Sequence, residues 1–161
     1  MGANTTTTPP GEAAPTGDDN PRKDITRIIA AHGVPYAAQA ALLPWQDLYD
    51  KAQKALALRG PTFLNVFSPC VPGWKIDTSS AIDLSRQAVE TRYWPLYEVE
   101  EGKYKITVPV DNPKPLDSFL KEQGRFKHLF TPEGSEGLRE LKDAVAKRWQ
   151  ELKRLQDCTQ N

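Results

Sequence analysis

The strongest constraint on the fold is a short apolar run between two prolines. Pro61 and Pro69 bound the run, which reads Thr-Phe-Leu-Asn-Val-Phe over residues 62–67. A run this short, rich in β-forming residues and without a polar face is typical of a strand that is covered on both faces, as in parallel sheets. We therefore predict that residues 62–67 form a central strand, parallel to its neighbours.

Helical and extended patterns alternate before this strand. Asp24 can cap a short helix whose isoleucines Ile25, Ile28 and Ile29 share one face. An apolar stretch at 34–41 suits a buried strand, and apolar residues at helical spacing follow Pro44. The order helix, strand, helix, strand implies an α/β sheet with crossover connections.

The second half of the chain adds a hairpin and three helices. A helix is predicted after Ser79 or Ser80, and a short one, in which Gly124 is the stop, follows a proline-rich link. Residues 96–108 alternate in polarity around Glu101-Gly102, which predicts a peripheral β-hairpin. Leucines, Val145 and Trp149 at helical spacing then predict a long amphipathic C-terminal helix.

Charge and hydropathy argue against two classes of partner. The chain has 21 basic and 21 acidic side chains, so its formal net charge is zero. A nucleic-acid or anionic-membrane surface needs a clustered basic excess, and none is visible. Mean hydropathy is −0.59, and the longest mostly apolar stretch, residues 36–45, is about half of the ~20 residues that cross a bilayer. We expect no membrane span, no nucleic-acid partner and no secretory leader.

The first 22 residues differ from the rest of the chain. They contain four prolines and four consecutive threonines and almost nothing large and apolar. Such a segment cannot offset its own ordering entropy. It is either a disordered tail or a loop that is ordered by protein outside this chain. We accordingly divide the chain into a Thr/Pro-rich loop at 1–22 and a folded domain at 23–161.

The sequence carries few residues in patterns that indicate chemistry. It has no nucleophile triad, no phosphate-binding glycine loop, no paired cysteines at metal spacing and no nominated acid–base pair. We interpret His32 and His128 as structural or surface residues. Two cysteines cannot staple a domain of this size, which favours a reduced, cytoplasmic setting. Cys158, near the C-terminal end, is expected to be an ordinary exposed thiol.

Cys70 is the exception, because it follows the apolar strand in the loop Ser-Pro-Cys-Val-Pro-Gly-Trp. Ligands of open α/β sheets bind at the carboxyl ends of strands, and two prolines stiffen this loop. Cys70 is then either a buried structural thiol or a ligand of a metal or iron–sulfur cluster. A cluster would need three partners from another polypeptide.

Several segments, in this order, resemble one family. The strand and loop GPTFLNVF and SPCVPGW, the segment AVETRYWPLYEVEEGKYKI and the segment QGRFKHL are similar to the C-terminal part of the β chain of 2-oxoacid:ferredoxin oxidoreductases. The opening GANTTTTPPG and AAHGVPYAAQA resemble the stretch after the thiamine-binding segment. The nearest form is the pyruvate type, whose loop usually reads Ser-Pro-Cys-Pro-Thr-Gly-Trp; here Val71-Pro72 replaces Pro-Thr.

The resemblance implies a specific fold, cofactors and partners. The fold would be the C-terminal part of a thiamine diphosphate-binding fold with a parallel sheet. The cofactors would be thiamine diphosphate, Mg²⁺ and a four-iron, four-sulfur cluster, with Cys70 as the fourth cluster ligand. The thiamine motif and the other three cysteines are absent from this sequence. The expected partners are therefore the missing N-terminal half, the α-, γ- and δ-type subunits, and ferredoxin as electron acceptor.

The resemblance also implies an activity that this chain would not have alone. The family oxidatively decarboxylates a 2-oxoacid, pyruvate in the nearest form, and coenzyme A takes the acyl group. No residue of this chain is assigned as acid, base or thiamine ligand. Two alternatives remain open: the same chemistry on another 2-oxoacid, and a non-catalytic interaction or structural module that lacks the cofactor half. A stand-alone hydrolase has no supporting motif.

Overall fold

The computed structural model describes residues 3–4 and 22–160. Within them, four strands form one sheet, accompanied by six α-helices and two short 3₁₀ segments. The elements in chain order are α1 Ile25–Ala30, β1 Tyr36–Ala41, α2 Trp45–Ala57, β2 Thr62–Phe67, α3 Val71–Trp74, the 3₁₀ segment Thr78–Ser80, α4 Ala81–Glu90, β3 Tyr97–Glu100, β4 Lys103–Ile106, α5 Leu116–Lys121, the 3₁₀ segment Gly124–Phe130 and α6 Ser135–Gln160.

The sheet combines a parallel pair with an antiparallel hairpin. Its strand order is β2-β1-β3-β4, with β1 parallel to β2 and antiparallel to β3. The α/β class, the parallel strand pair, the hairpin and the long C-terminal helix are confirmed. The sheet as a whole is mixed, because β3 and β4 both run against their neighbours.

The predicted central position of the strand at 62–67 is wrong. In the described sheet β2 is an edge strand, and Val66 is 39% exposed, whereas β1 is central and buried at every position. The inference of cover on both faces is correct. The Asn65 amide donates to Thr26 of α1 and the Thr62 hydroxyl to the Ala55 carbonyl of α2. Positions 62 and 65 point to opposite faces of a strand, so a helix covers each face. An apolar run predicts that both faces of a strand are covered, but it does not predict whether another strand pairs with each of its edges.

The β3–β4 hairpin is confirmed where the sequence places it. Glu101 and Gly102 connect the strands with φ values of 49° and 79°. Two turn residues with positive φ match the right-handed twist of the flanking strands, which is why glycine is favoured here. Tyr97 and Val99 of β3 are almost fully buried, and Tyr97 pairs with Ile106 across the hairpin.

Helix α1 begins as predicted but presents a different face to the sheet. The Asp24 carboxylate accepts a hydrogen bond from the Arg27 amide at 3.2 Å, which satisfies one free donor of the first turn. The fully buried residue is Thr26, while Ile25 and Ile28 are 40% and 45% exposed. The apolar face that the spacing defines is therefore partly open to solvent.

The C-terminal third of the chain contributes buried side chains to the hydrophobic core. Helix α5 ends at Lys121, three residues before the predicted stop at Gly124, and the chain continues as a 3₁₀ segment. Phe119, Leu120, Phe126 and Leu129 from these two elements are fully buried in the main apolar cluster. Helix α6 packs Leu141, Trp149 and Leu152 inward. No helix in the described part of the chain is long and apolar enough to cross a membrane.

The predicted Thr/Pro-rich loop at 1–22 lies almost entirely outside the described residues. Of its positions only Ala3, Asn4 and Arg22 are described. Ala3 packs against the main apolar cluster, and the Asn4 amide donates to the Arg125 carbonyl at 2.9 Å. The Arg22 guanidinium stacks on Trp94 at 4.2 Å from the ring centroid. The prediction for the remaining positions stays a prediction.

Candidate functional site

Cys70 lies in a turn at the carboxyl end of the edge strand β2. The chain leaves β2 at Phe67 and enters α3 at Val71, so that Cys70 is the residue that precedes the helix. The Trp74 amide donates to the Cys70 carbonyl at 2.9 Å, which closes the turn around the cysteine. The Cys70 side chain is exposed and is not in a disulfide. The interpretation of Cys70 as a buried structural thiol is therefore wrong.

Gly73 leaves room for the sulfur atom. A Cβ atom at residue 73 would lie 3.0 Å from Cys70 Sγ, closer than such contacts normally come. Any side chain at residue 73 would therefore press on the sulfur or turn it away.

A buried arginine lies beneath this turn. The Arg125 guanidinium stacks on Trp74 at 3.6 Å from the ring centroid, and Trp74 in turn contacts Phe67 at a centroid distance of 5.4 Å. The close approach depends on Gly124, because a Cβ atom there would lie 2.7 Å from Lys75 Cβ. The 3₁₀ segment Gly124–Phe130 is thus brought against the end of α3.

Arg125 is buried without a full set of hydrogen bonds. It is 8% exposed, and its Nε donates to the Gln123 side-chain oxygen at 2.9 Å. Gln123 is itself fully buried and anchored by its amide to the Phe119 carbonyl. Arg125 Nη2 is buried and has no hydrogen-bond partner within residues 3–4 and 22–160. Such an atom normally has a partner, so this donor is open to a water molecule or another acceptor.

Cys70 is one of the groups that influence the pKa of Arg125. Burial lowers the pKa of the Arg125 guanidinium to about 10, while Tyr93 and then Cys70 act to raise it. The group therefore stays protonated at neutral pH. Among the described residues, no ion pair involves this cation. Cys70, Gly73, Trp74, Gln123 and Arg125 together are called the Cys70 site below.

Among the described residues, the Cys70 site contains one cysteine. No group of three or more His, Cys, Asp or Glu side chains that could hold a metal occurs in the described ranges. His32 is exposed, and His128 is half-buried. Cys158 is exposed, as predicted.

A second polar cluster, which the sequence did not single out, joins α2 to the sheet. The Lys51 ammonium is almost fully buried and donates three hydrogen bonds, to the Gln39 carbonyl at 2.8 Å, to Asp47 at 2.7 Å and to Thr107 at 2.8 Å. Burial lowers the pKa of Lys51, and Asp47 partly offsets that effect. All three N–H donors of the ammonium are used. This arrangement is that of a structural anchor.

The cluster continues to a buried carboxylate on β3, which Lys54 of α2 contacts. Glu98 on β3 accepts hydrogen bonds from Tyr36 at 2.8 Å and from Lys54 at 2.7 Å. Although burial acts to raise it, these two donors hold the pKa of Glu98 below its ordinary value. We call Tyr36, Gln39, Asp47, Lys51, Lys54, Glu98 and Thr107 the polar network. The signal for it was the Asp47–Lys51 spacing of four residues on a helix, which by itself is too common to be specific.

The relatives of the chain are subunits of two oxidoreductases. It is 44% identical over 161 residues to pyruvate synthase subunit PorB of Thermotoga maritima, and the match covers 99% of this chain and 49% of the relative. PorB of Methanosarcina barkeri is 43% identical over 134 residues, with 83% and 45% covered. Ketoisovalerate oxidoreductase subunit VorB of Pyrococcus furiosus is 40% identical over 152 residues, with 93% and 48% covered. The chain thus spans about half the length of these curated relatives. No family model matches it.

Proposed function

Since the chain belongs to the family that includes these PorB and VorB subunits, we propose that it forms about half of the β subunit of a 2-oxoacid:ferredoxin oxidoreductase. Within that subunit, Cys70 supplies one thiolate to a four-iron, four-sulfur cluster. The observation that supports this role is the exposed, unpaired thiol of Cys70, held over Gly73 at the carboxyl end of a strand.

The donors present in the chain fit a contribution of one ligand. A four-iron cluster is held by four thiolates, and this chain has two cysteines. Cys70 follows β2, whereas Cys158 neighbours Thr159, whose hydroxyl accepts a hydrogen bond from the Tyr104 amide of β4. Since β2 and β4 are opposite edges of the sheet, the two cysteines do not share a cluster. The other three thiolates come, in this proposal, from residues outside this chain.

The residues of this chain position the cluster ligand and shield it. Gly73 leaves room for the Cys70 sulfur, and Trp74 of the same short helix stacks on the buried Arg125. Thiamine diphosphate with Mg²⁺ would supply the decarboxylation chemistry and the cluster the one-electron transfer to ferredoxin. We propose that both cofactors are completed by residues outside this chain, that coenzyme A accepts the acyl group, and that the isolated chain is inactive. The proposed compartment is the cytoplasm, where unpaired cysteines stay reduced.

The free edge of β2 is where we propose that the preceding half of the subunit docks. An edge strand offers unpaired backbone donors and acceptors to a further strand. Apolar side chains lie open beside it, with Val66 on β2 and Ile25 and Ile28 on the adjoining helix α1. The relatives are about twice as long as this chain, so a covering segment of the required size exists in their architecture. The α-, γ- and δ-type subunits complete the proposed assembly.

Pyruvate is the proposed substrate. The support is the Ser-Pro-Cys-x-x-Gly-Trp form of the loop, which resembles the pyruvate type, together with the name of the PorB relatives. VorB relatives match at 40–42% identity, so ketoisovalerate or another 2-oxoacid is the alternative. Ferredoxin reduction with a panel of 2-oxoacids separates the two. A higher kcat/KM for a branched 2-oxoacid than for pyruvate contradicts the pyruvate assignment.

The decisive experiment is cysteine replacement in the assembled enzyme. The chain is co-produced with the preceding half of the subunit and its partner subunits, as wild type and as Cys70→Ala. We expect Cys70→Ala to lose the iron of one cluster and its electron paramagnetic resonance signal, because three thiolates hold a four-iron cluster poorly. Circular dichroism should stay unchanged, since the Cys70 side chain is exposed.

Cys158→Ala is the matched control, because it removes the other exposed thiol at the opposite edge of the sheet. Its iron content and spectrum should equal those of the wild type. An unchanged cluster signal in Cys70→Ala contradicts the ligand assignment. Absence of both cluster and 2-oxoacid oxidation from the wild-type assembly would instead favour a non-catalytic structural module.

A further inference from the structure

We infer that Arg125 is a positioning residue of the Cys70 site whose fixed positive charge raises the reduction potential of the cluster that Cys70 binds. The inference rests on the proposed function and adds a role for a side chain that neither the family resemblance nor the names of the relatives assign. It depends on three observations: the charge has no ion-pair partner among the described residues, it is held by packing, and it lies on Trp74 of the short helix that follows Cys70.

The charge on Arg125 is not neutralised within the described residues. One polar partner is the neutral amide of Gln123, whose oxygen lies 2.9 Å from Arg125 Nε. The Tyr93 side chain also hydrogen-bonds to the guanidinium, and Cys70 acts on it electrostatically. Among the described residues, no carboxylate forms an ion pair with it. A buried cation normally has an anionic partner, because taking an unpaired charge out of water is costly. The Cys70 thiolate, or the cluster that it holds, is the anion that this site provides.

The position of the charge is fixed by packing. The guanidinium lies 3.6 Å from the ring centroid of Trp74 and 4.6 Å from that of Phe126. Trp74 belongs to the same short helix that positions Cys70, through the Trp74 amide and the Cys70 carbonyl. A planar guanidinium suits this stacked position better than the compact ammonium of lysine.

The direction of the effect follows from charge. An iron–sulfur cluster gains one negative charge when it accepts an electron, and its potential depends on nearby charge, hydrogen bonds and burial. A positive charge in a poorly solvated place stabilises the more negative, reduced state. The unpartnered Arg125 Nη2 supplies in addition a free N–H donor. Removing the charge should therefore make the cluster harder to reduce.

The test is a redox titration of the assembled enzyme, followed by electron paramagnetic resonance. In Arg125→Gln we expect the ratio of reduced to oxidised cluster at a fixed potential to fall about tenfold, a shift of ~59 mV to lower potential for a one-electron couple. Arg125→Lys keeps the charge and should stay near the wild-type midpoint. Arg92→Gln is the matched control, because Arg92 also stacks on a tryptophan, Trp149, on another part of the fold.

A second variant keeps the inference testable if Arg125→Gln does not assemble. Gln123→Glu is nearly isosteric and places a carboxylate beside the guanidinium, which offsets its charge and leaves both stacked residues unchanged. It also removes the hydrogen bond that the Gln123 amide donates to the Phe119 carbonyl. We expect the same downward shift. Wild-type midpoints in both Arg125→Gln and Gln123→Glu overturn the inference. If both variants lose the cluster, Arg125→Lys decides between charge and packing. A cluster that is retained in Arg125→Lys at the wild-type midpoint supports the inference. Loss of the cluster in Arg125→Lys overturns the inference, because packing and not charge would then be the role of Arg125.

These outcomes are separate from failure of the proposed function. Cys70→Ala tests whether the thiol binds the cluster at all, by iron content and signal intensity. The Arg125 variants test the midpoint of a cluster that is present. A cluster unaffected by Cys70→Ala removes the basis of both proposals, whereas unchanged midpoints remove only the role of Arg125.

Discussion

Two buried cations of this chain, Lys51 and Arg125, differ in how completely the described residues provide hydrogen-bond and ion-pair partners for them. Lys51, in the polar network, places all three ammonium protons on oxygen acceptors and pairs with Asp47. Arg125, in the Cys70 site, forms no ion pair among the described residues. Its Nε donates to the Gln123 side-chain oxygen, and its Nη2 has no hydrogen-bond partner within residues 3–4 and 22–160. A cation that is satisfied within its own chain stabilises the fold. The cation without an ion-pair partner among the described residues is the one that we propose acts on a group from outside this chain.

The largest expected effect lies in the polar network. Lys51→Met should lower the free energy of unfolding by about 3–5 kcal/mol, because it leaves the Asp47 carboxylate unpaired in a poorly solvated place. Urea unfolding of the chain measures the loss. The double variant Lys51→Met/Asp47→Asn should recover part of the stability, since no buried charge remains. If Lys51→Met lowers the free energy of unfolding by less than about 1 kcal/mol, Lys51 is not a structural anchor and its contrast with Arg125 fails.

The second prediction concerns the pH dependence of the stability that Glu98 of the polar network contributes. The pKa of Glu98 is lower in the folded chain than in the unfolded one, so Glu98 stabilises the fold above its unfolded pKa near ~4.3. That contribution is lost as the pH falls through the lowered folded pKa. Glu98→Gln should cost about 1.5–3 kcal/mol at pH 7, because two hydrogen bonds to a charged acceptor are lost.

The measurement for Glu98 is urea unfolding of both proteins between pH 7 and pH 3. The difference between wild type and Glu98→Gln should shrink toward the acid end. A difference that is the same at both ends of the range would show that Glu98 acts through packing and not through its charge.

A smaller stability effect is expected at the Cys70 site. Arg125→Gln should cost about 1 kcal/mol in the chain alone, the size of a stacked cation–aromatic contact. The loss is limited because the variant also removes an uncompensated buried charge. Thermal unfolding checks this value. A cost as large as that of Lys51→Met would mean that both cations are structural, and the comparison would fail.

The smallest effects are expected from the cysteines. Cys70→Ala and Cys158→Ala should each change the free energy of unfolding of the isolated chain by less than about 0.5 kcal/mol, since both side chains are exposed and unpaired. Both thiols should react with a thiol reagent in the folded chain. A protected Cys70 would contradict its position at the surface.

The sequence predicts those features that neighbouring residues decide. The hairpin depends on Glu101-Gly102, where two positive φ values suit a tight turn, and the start of α1 depends on the Asp24 cap. Both are short-range effects, and both are confirmed. The exposed thiol of Cys158 was equally readable, because it lies in a polar helix end.

Long-range neighbours decide what the sequence did not predict. The run at 62–67 describes how its faces are covered, but whether a strand lies at the centre or the edge depends on pairing with distant segments. Arg125 looks like an ordinary surface residue in Gln-Gly-Arg. Its burial follows from its stacking on Trp74 and from the close approach of Gly124 to Lys75, which are distant contacts in the sequence. The motif resemblance selected Cys70, and only the coordinates bring Arg125 beside it.

The open edge of β2 also bears on how this chain behaves when it is made by itself. A parallel edge strand with an exposed valine is a template for pairing with any other unpaired strand, a second copy included. Freshly synthesised copies would compete with the intended covering segment, and their self-association would grow with concentration. Simultaneous synthesis with the preceding half should therefore raise the soluble yield, and a lysine in place of Val66 should limit precipitation of the chain produced alone.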